Sequence, residues 1–224
     1  MAEPEPILLF GNGKLAELVL AVAHDDPRYR VVAVTADREY LTGAELGGVP
    51  QLALEEALER FPPGRCSMLV TIGYRRMRAR SELLLRARAL GYRLPGYVAP
   101  RARLDGDVEL GENCIVFDLA YLGPGVRLGA NCVVRPQVYV GHDGELGEHV
   151  FLAPGAKLGG NCRVGELSFV GLGAVVVDGT TVAAECLIGA GAVVVRDTEP
   201  YGLYLGSPAR RVGEHAETGV RLSR

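Results

Sequence analysis

The chain has 224 residues, of which 48% are hydrophobic, and a formal net charge of -3 at pH 7. This length allows one or two domains, and the mildly acidic balance gives no reason to expect nucleic acid or a membrane surface as a partner. No segment has the apolar length of a membrane-spanning helix, and the first residues, Met-Ala-Glu-Pro-Glu-Pro, are unlike a signal peptide. We therefore expect a cytoplasmic protein.

The first 95 residues alternate short apolar runs with helical patterns. The predicted strands are residues 7–10, 30–34 and 66–72. The predicted helices are residues 15–24, 53–60 and 75–90. This alternation is typical of a small parallel sheet of Rossmann type with three or four strands. The basic residues near the start of the last helix are expected to form a solvent-exposed face; they are Arg75, Arg76, Arg78 and Arg80.

Ligands of such sheets bind beyond the carboxyl ends of the strands. The candidate substrate-binding residues at these ends are Gly11, Asn12, Gly13, Lys14, Asp37, Gly73 and Tyr74. Gly-rich backbone N–H groups and a Lys at a helix start favour a phosphate, and Asp37 could accept a hydrogen bond from a ribose hydroxyl. The loop is not a complete Gly-x-Gly-x-x-Gly because residue 16 is Ala. The alternative is an ordinary turn with a solvated Lys14.

From Val98 to Glu199 the sequence repeats every six residues, seventeen times, without an insertion or deletion. The first position of each hexad is aliphatic, the second is often Gly and the fifth is nearly always small. One hexad can form a short strand and a turn, so three hexads would close a triangular coil that stacks on the next at about 4.8 Å. Each coil can bury its apolar residues only by stacking on its neighbours. The repeat therefore predicts a parallel β-helix of five to six coils.

Four of the five Cys fall on the fifth hexad position, which the coil turns inward: Cys114, Cys132, Cys162 and Cys186. They could form a metal site or a redox pair, or they could be a column of small buried side chains. Because no His or carboxylate lies among them, we favour packing and expect no metal. Cys66 is expected in the core of the first domain.

His142 is the third residue of Val-Gly-His-Asp-Gly-Glu, a position that the repeat turns outward at a corner. An exposed His between Gly141 and Asp143 has no packing reason to be there. Acyl transfer needs a base to take the proton of the nucleophile, and His serves this role near neutral pH. Asp143 could orient the ring. His149 is the rival base, and a surface His142 without a role is the remaining alternative.

Hexads such as Leu-Gly-Glu-Asn-Cys-Ile (110–115) and Leu-Gly-Gly-Asn-Cys-Arg (158–163) resemble the hexapeptide repeat of left-handed β-helix acyltransferases. Segments of the first domain narrow the resemblance to the sialic acid O-acetyltransferase and bacillosamine (sugar nucleotide) N-acetyltransferase group. These segments are residues 10–13, 35–41, 72–74 and 91–92. The resemblance implies an α/β Rossmann-like domain, an all-β left-handed parallel β-helix and a closing loop with a tail. We place their boundaries at 1–95, 96–200 and 201–224.

The resemblance also implies how the parts work. The first domain would bind the nucleotide of a sugar nucleotide, the β-helix would bind acetyl-CoA, and each cleft would lie between two prisms of a homotrimer. The catalytic His of the family falls on His142 and its acidic helper on Asp143. The residues implied for acetyl-CoA are Phe151, Leu172, Gly173 and Ala190. Bacillosamine enzymes carry a second His where this chain has Phe151.

Two further site expectations follow from the chain itself and from the resemblance. Backbone N–H groups near Gly155 and Gly173 could stabilise a tetrahedral oxyanion. Residues 205–211 resemble the closing loop of the family, whose basic residues, here Arg210 and Arg211, could meet the phosphates of CoA. The same loop would cover the open edge of the last coil.

We therefore expect an acetyl-CoA-dependent acyltransferase that N-acetylates a nucleotide-linked amino sugar by direct transfer, for surface polysaccharide or glycan biosynthesis. One alternative is O-acetylation of a sialic-acid-like sugar. Another is a non-catalytic trimeric scaffold. A carbonic anhydrase would need three His as zinc ligands on adjacent coils, which His142 and His149 alone cannot supply.

Overall fold

The structure is a computed structural model that describes residues 3–24 and 26–222. Met1, Ala2, Asp25, Ser223 and Arg224, which include the outermost residues of the first and last predicted segments, lie outside the described residues. The chain forms two compact units. The first comprises the chain up to Gly73 together with Ala79–Pro95, and the second comprises Tyr74–Arg78 and the chain from Gly96 onward.

The first unit is a five-stranded sheet with helices. Its strands are β1 (Glu5–Phe10), β2 (Tyr29–Ala36), β3 (Glu45–Leu46), β4 (Val49–Ala53) and β5 (Ser67–Val70). The helices are α1 (Lys14–Ala23), α2 (Leu54–Arg60) and α3 (Met77–Ala89), with a 3-10 turn at Arg38–Tyr40. The strand order is β3-β4-β2-β1-β5, and only β3 and β4 are antiparallel neighbours. All three helices are shorter than the apolar span that crosses a bilayer.

The prediction of three or four strands was wrong, because it did not include the β3–β4 hairpin. Pro50 lacks a backbone donor and argues against a strand. In the structure Pro50 pairs with Glu45 on the short outer strand, while Gln51–Ala53 form the parallel ladder with β2. The predicted core position of Cys66 is confirmed, since this residue is buried.

The expectation of an exposed basic face was wrong for two of its four Arg residues. Arg80 is buried, and its guanidinium donates a hydrogen bond to the carbonyl oxygen of Ile72. Arg78 forms a double hydrogen bond with the Glu185 carboxylate, with N–O distances of 2.8 and 3.1 Å. Both guanidinium groups therefore have structural partners.

The second unit contains a two-residue strand in every hexad. In chain order these strands are β6 (Tyr97–Val98), β7 (Arg103–Leu104), β8 (Glu109–Leu110), β9 (Ile115–Val116), β10 (Tyr121–Leu122), β11 (Arg127–Leu128), β12 (Val133–Val134), β13 (Tyr139–Val140), β14 (Glu145–Leu146), β15 (Phe151–Leu152), β16 (Lys157–Leu158), β17 (Arg163–Val164), β18 (Phe169–Val170), β19 (Val175–Val176), β20 (Thr181–Val182), β21 (Leu187–Ile188) and β22 (Val193–Val194). Each ends on the aliphatic residue of its hexad.

These strands stack into three parallel sheets, one for each side of the coil. The six-stranded sheet contains β7, β10, β13, β16, β19 and β22, and the five-stranded sheet contains β8, β11, β14, β17 and β20. The eight-stranded sheet contains β6, β9, β12, β15, β18 and β21, followed by β23 (Gly202–Leu205) and β24 (Arg210–Glu214). Tyr121 pairs with Tyr139 and Tyr139 with Lys157, so each coil takes 18 residues.

The interior of the coil is filled as the repeat predicts. Leu122, Val140 and Leu158 are fully buried aliphatic residues of the first hexad position. Cys114, Cys132, Cys162 and Cys186 have no exposed surface, so their predicted packing position is confirmed. The Sγ atom of Cys132 lies 3.1 Å from the carbonyl oxygen of Gly147. These thiols therefore line the core of the coil.

The closing segment covers the end of the coil. β23 pairs in parallel with β21, and β24 returns antiparallel to β23. The N–H of Val193 donates to the carbonyl oxygen of Gly206, and the N–H of Ala209 donates to that of Val193. The last two coil strands thus have backbone partners, which removes an open sheet edge.

Candidate active site

The site residues predicted on the β-helix lie on two different edges of the coil. We call the corner between the six-stranded and five-stranded sheets the His142 edge, because it carries His142 and Asp143 between β13 and β14. We call the corner between the eight-stranded and six-stranded sheets the Leu172 edge. It carries Leu172 and Gly173 between β18 and β19, and Ala190 between β21 and β22. The six-stranded sheet therefore separates the two edges within one chain.

His142 and Asp143 form a hydrogen-bonded pair on the first of these edges. The Nδ1 atom of His142 lies 2.9 Å from Oδ2 of Asp143, and both side chains are more than 60% exposed. Asp143 adopts the left-handed conformation, with φ of 55°. An ionised carboxylate can only accept a hydrogen bond, so the pair places the proton on Nδ1 and leaves Nε2 as the acceptor. The arrangement suits a general base.

Two glycines make room for this pair, and sequence reasoning missed both. A Cβ atom added to Gly160 would lie 2.4 Å from Nε2 of His142, and one added to Gly125 would lie 2.5 Å from Oδ1 of Asp143. The N–H of Gly160 also donates to Oδ1 of Asp178, at 2.7 Å. The spacing in the sequence could have identified Gly160 as a neighbour of His142, because Gly160 follows His142 by one coil of 18 residues.

His149 occupies a third edge, between the five-stranded and eight-stranded sheets. It is buried, and its Nδ1 atom lies 3.0 Å from the Nδ2 atom of Asn131. Asn131 in turn accepts a hydrogen bond from Nδ2 of Asn113, at 2.9 Å. The structure therefore places the rival base in a buried polar row, apart from His142 within this chain.

The Leu172 edge exposes apolar surface and backbone donors. The Leu172 side chain is 59% exposed, and Ala190 is exposed as well. Among the described residues, no acceptor lies within hydrogen-bond distance of the backbone N–H of Leu172 or of Ala190. Apolar surface beside unpaired N–H groups fits an extended ligand with amide carbonyls, such as the pantetheine arm of CoA.

The expected oxyanion donors are already engaged. The N–H of Gly155 donates to the carbonyl oxygen of Pro136, and the N–H of Gly173 donates to that of Pro154, both at 3.0 Å. These bonds close the corners of successive coils. These two N–H groups therefore have acceptors within the coil, whereas among the described residues the N–H of Leu172, the neighbour of Gly173, has none. A stabilising donor near these glycines stays a prediction.

Phe151 lies within an aromatic cluster. Its ring is almost fully buried and packs edge-on against Tyr74, with 5.0 Å between centroids, and in a stacked arrangement on Phe169, at 5.6 Å. Tyr74 belongs to the second compact unit, and this residue is 42% exposed. The structure thus brings together Phe151 and Tyr74, which the sequence analysis had assigned to different ligands.

The residues that follow β1 shape a tight loop. Gly11 has φ of 117°, and an added Cβ atom would lie 3.1 Å from the carbonyl oxygen of Thr71, so only Gly fits there. The Asn12 amide donates to the carbonyl oxygen of Tyr40, which fixes the loop after β2. Gly13 is the N-cap residue of α1, and the exposed Lys14 pairs with Glu17 one turn later.

Asp37 has a side-chain partner of its own. Arg86 binds both carboxylate oxygens, each at 2.7 Å. The hydrogen bond from Arg86 lowers the pKa of Asp37, against the opposing effect of burial. The Arg86 guanidinium also lies over the Phe10 ring, 5.6 Å from its centroid. Asp37 is therefore an ionised acceptor whose position is set by Arg86, with lone pairs remaining for a ligand hydroxyl.

Comparisons with known proteins agree with this geometry. Residues 107–142 match the family described as bacterial transferase hexapeptide (six repeats). The perosamine N-acetyltransferase PerB of Caulobacter crescentus, solved in complex with CoA and GDP-perosamine, is 30% identical. The match covers 93% of this chain and 97% of PerB, with a TM-score of 0.84. Curated protein sequences contain no significant match.

Two further solved structures share the fold. The acetyltransferase domain of PglB from Neisseria gonorrhoeae, in complex with acetyl coenzyme A, is 28% identical over 93% of this chain and 100% of that chain, with a TM-score of 0.84. WeeI from Acinetobacter baumannii is 22% identical, covers the same shares and has a TM-score of 0.72, which shows likeness of fold alone.

These matches confirm the predicted architecture of a Rossmann-like α/β domain followed by a left-handed β-helix. The likeness to PerB extends over nearly the whole of both chains, so it includes the N-terminal domain as well as the repeat. The chain belongs to the hexapeptide-repeat acyltransferases with a left-handed β-helix, in the group of sugar acetyltransferases that contains PerB and the PglB domain.

Proposed function

We propose that this protein transfers the acetyl group of acetyl-CoA to the amino group of a nucleotide-linked amino sugar. The observation that carries the proposal is the exposed His142–Asp143 pair in a chain that matches PerB, solved with CoA and GDP-perosamine, over nearly its whole length. An N-acetylated sugar nucleotide is a building block for surface polysaccharide or another glycan, which is the proposed role of the product.

The residues of the chain suit direct transfer. Acetyl-CoA supplies the acetyl group as a thioester. Nε2 of His142 takes a proton from the amine as its nitrogen bonds to the carbonyl carbon, and Asp143 stabilises the imidazolium that forms. The imidazolium then gives this proton to the departing thiolate, so the base is regenerated. All five Cys are buried, which supports a route without an acyl-enzyme.

Ligand binding provides the first test. A ligand that binds only the native state raises the melting temperature by mass action. We expect acetyl-CoA and one class of nucleotide sugar, among UDP-, dTDP- and GDP-linked amino sugars, to raise it. No shift with millimolar CoA would overturn the transferase and favour a scaffold. A shift with CoA but with no nucleotide sugar would favour an acceptor such as a sialic-acid-like sugar.

We further propose that the active protein is a homotrimer whose sites form between subunits. The His142 edge and the Leu172 edge lie on opposite sides of the six-stranded sheet. The β-helix of one subunit therefore does not bring both edges to the same ligand. The His142 edge of one subunit would face acetyl-CoA bound along the Leu172 edge of the next.

Subunit mixing tests the split site. His142→Ala removes the base, and Ala190→Trp fills the exposed Leu172 edge, so each variant alone should be inactive. Mixed trimers of the two variants should regain activity, because roughly a quarter of the sites would combine two intact edges. Co-expression with two affinity tags, followed by turnover assays, measures this.

A matched mixture provides the control. His142→Ala combined with the double variant His142→Ala/Ala190→Trp contains no intact base and should stay inactive. If the first mixture forms mixed trimers that are equally inactive, the site does not lie between subunits.

The closing loop offers a second prediction, on CoA binding. Arg211 is bound by the carboxylates of Glu199 and Glu214, whereas the only side-chain hydrogen bond of Arg210 within the described residues goes to the carbonyl oxygen of Ala209. Arg210 is therefore the cation available for a CoA phosphate. We expect Arg210→Gln to weaken CoA binding by about three- to tenfold and Arg211→Gln to have a smaller effect.

Dephospho-CoA identifies the contact that Arg210 makes. If Arg210 meets the 3′-phosphate, Arg210→Gln should bind CoA and dephospho-CoA with similar affinity in calorimetric titrations. Equal losses in the Arg210 and Arg211 variants would contradict the assignment.

A further inference from the structure

Arg135 is a half-buried cation. Among the described residues, no carboxylate lies within ion-pair distance of its guanidinium, and its Nε–H is buried without a hydrogen-bond acceptor. The guanidinium instead lies over the Phe117 ring, 4.6 Å from the centroid. A buried donor that is left unsatisfied costs free energy.

The column of equivalent residues above and below Arg135 carries no acidic side chain. The residues at the same position of the other coils are Ala99, Phe117, Ala153, Gly171 and Gly189. Asp118, which follows Phe117, is engaged by Arg101 at 2.9 Å. Burial lowers the pKa of Arg135, although a guanidinium remains charged at any physiological pH. The position therefore carries the cost of a partly desolvated cation, which the Phe117 ring offsets only in part and no carboxylate of the described residues neutralises.

Arg135 lies on the Leu172 edge, the corner along which acetyl-CoA is proposed to bind. It directly follows β12 at the start of the Leu172 edge, one coil before the corner that follows Phe151. Val133, two residues before Arg135, pairs with Phe151 in the sheet, and the Phe151 ring packs on Tyr74. Tyr74 is itself one of the residues predicted to bind the acceptor. Arg135 is thus close to residues proposed for both the donor and the acceptor.

We propose that Arg135 binds a phosphate group of a substrate, an inference that rests on the transferase function proposed above. The guanidinium presents a planar fork of donors that matches two phosphate oxygens, and Phe117 holds that fork by stacking. The phosphate comes either from the diphosphate of the acceptor sugar nucleotide or from CoA, and the experiment separates these sources.

The test compares Arg135→Met with Arg101→Met. Methionine keeps an unbranched apolar side chain over Phe117 and removes only the charge and the donors. Calorimetric titrations use sodium pyrophosphate, CoA and the nucleotide sugar that stabilises the wild-type protein. We expect Arg135→Met to weaken pyrophosphate and one of the two substrates by about ten- to hundredfold. Arg101→Met, which loses a cation already paired with Asp118, should bind all three as the wild type does.

The outcomes separate the sources of the phosphate. A loss confined to the nucleotide sugar assigns the site to the acceptor diphosphate, and a loss confined to CoA assigns it to the donor. Unchanged affinity of Arg135→Met for all three probes would overturn the inference while leaving the transferase intact. Wild-type protein that binds pyrophosphate through Arg135 but neither substrate would overturn the transferase instead.

A second variant guards against a folding defect. Arg135→Lys keeps a positive charge without the planar fork, so its affinities should fall between those of the wild type and Arg135→Met. If Arg135→Met has a lower melting temperature than the wild type, the affinities of Arg135→Lys test the inference instead. Wild-type affinity in Arg135→Lys would contradict bidentate binding of the phosphate. A purely structural role would lower the melting temperature without changing the affinity of one substrate selectively.

Discussion

Replacing His142 by Ala is expected to lower kcat by about 10²- to 10⁴-fold while leaving the binding of acetyl-CoA and the nucleotide sugar unchanged. The side chain is 61% exposed and contributes little packing, so the variant should fold normally. Its loss removes the only group that the proposed mechanism uses to take the proton of the amine. Release of the CoA thiol in the presence of the acceptor measures turnover, and thermal shifts measure the binding of each substrate.

His149→Asn is the matched control for this substitution. His149 sits in the left-handed conformation at the end of the Asn113–Asn131 row, and Asn is among the residues that tolerate that conformation best. The control should therefore keep turnover close to that of the wild type. Comparable losses in both variants, or a kcat for His142→Ala near the wild-type value, would remove His142 from the role of base.

Gly160→Ala should lower kcat by about 10²-fold without affecting the fold. The added methyl group would lie 2.4 Å from Nε2 of His142, so the ring has to move away from the position in which its Nδ1 pairs with Asp143. Gly160 does not have a left-handed φ, which means that Ala costs little in the backbone. Steady-state kinetics should show the change in kcat, with nearly the same KM for acetyl-CoA.

A double-mutant comparison isolates the cause. In a His142→Ala background the ring is gone, so Gly160→Ala should have no further effect on the residual rate. Gly213→Ala adds the same methyl group where its nearest neighbours are 3.8 Å away or farther, and it should behave like the wild type. A loss that persists in the His142→Ala background would show that Gly160 acts through something other than the ring.

The β-helix could be predicted almost completely from the sequence. The aliphatic residue at the first position of every hexad from Val98 to Val194 ends a strand, because a fixed period of six gives the same environment to equivalent residues of successive coils. The outward position of His142 followed from the same register. Such a repeat is predictable because each coil contacts only its neighbours, so the local pattern and the tertiary contacts carry the same information.

Contacts between positions far apart in the chain escaped prediction. Asp37 and Arg86, Arg78 and Glu185, and Tyr74 and Phe151 come together by folding. No local periodicity connects such positions, and Arg78 and Arg80 consequently looked like residues of a solvated face. The β3–β4 hairpin was not predicted because only two residue pairs form it, which is too short for an alternation of apolar and polar residues in the sequence.

The sequence by itself determined the coil, its register, the inward Cys column and the exposed catalytic candidate, since all of these follow from one period. Only the tertiary structure decided which groups are available for chemistry. It gave the N–H groups of Gly155 and Gly173 acceptors within the coil, buried His149 and left Arg135 without a carboxylate partner among the described residues. Availability depends on which partners folding brings within hydrogen-bond distance, and that depends on the three-dimensional neighbours of a residue rather than on its place in a repeat.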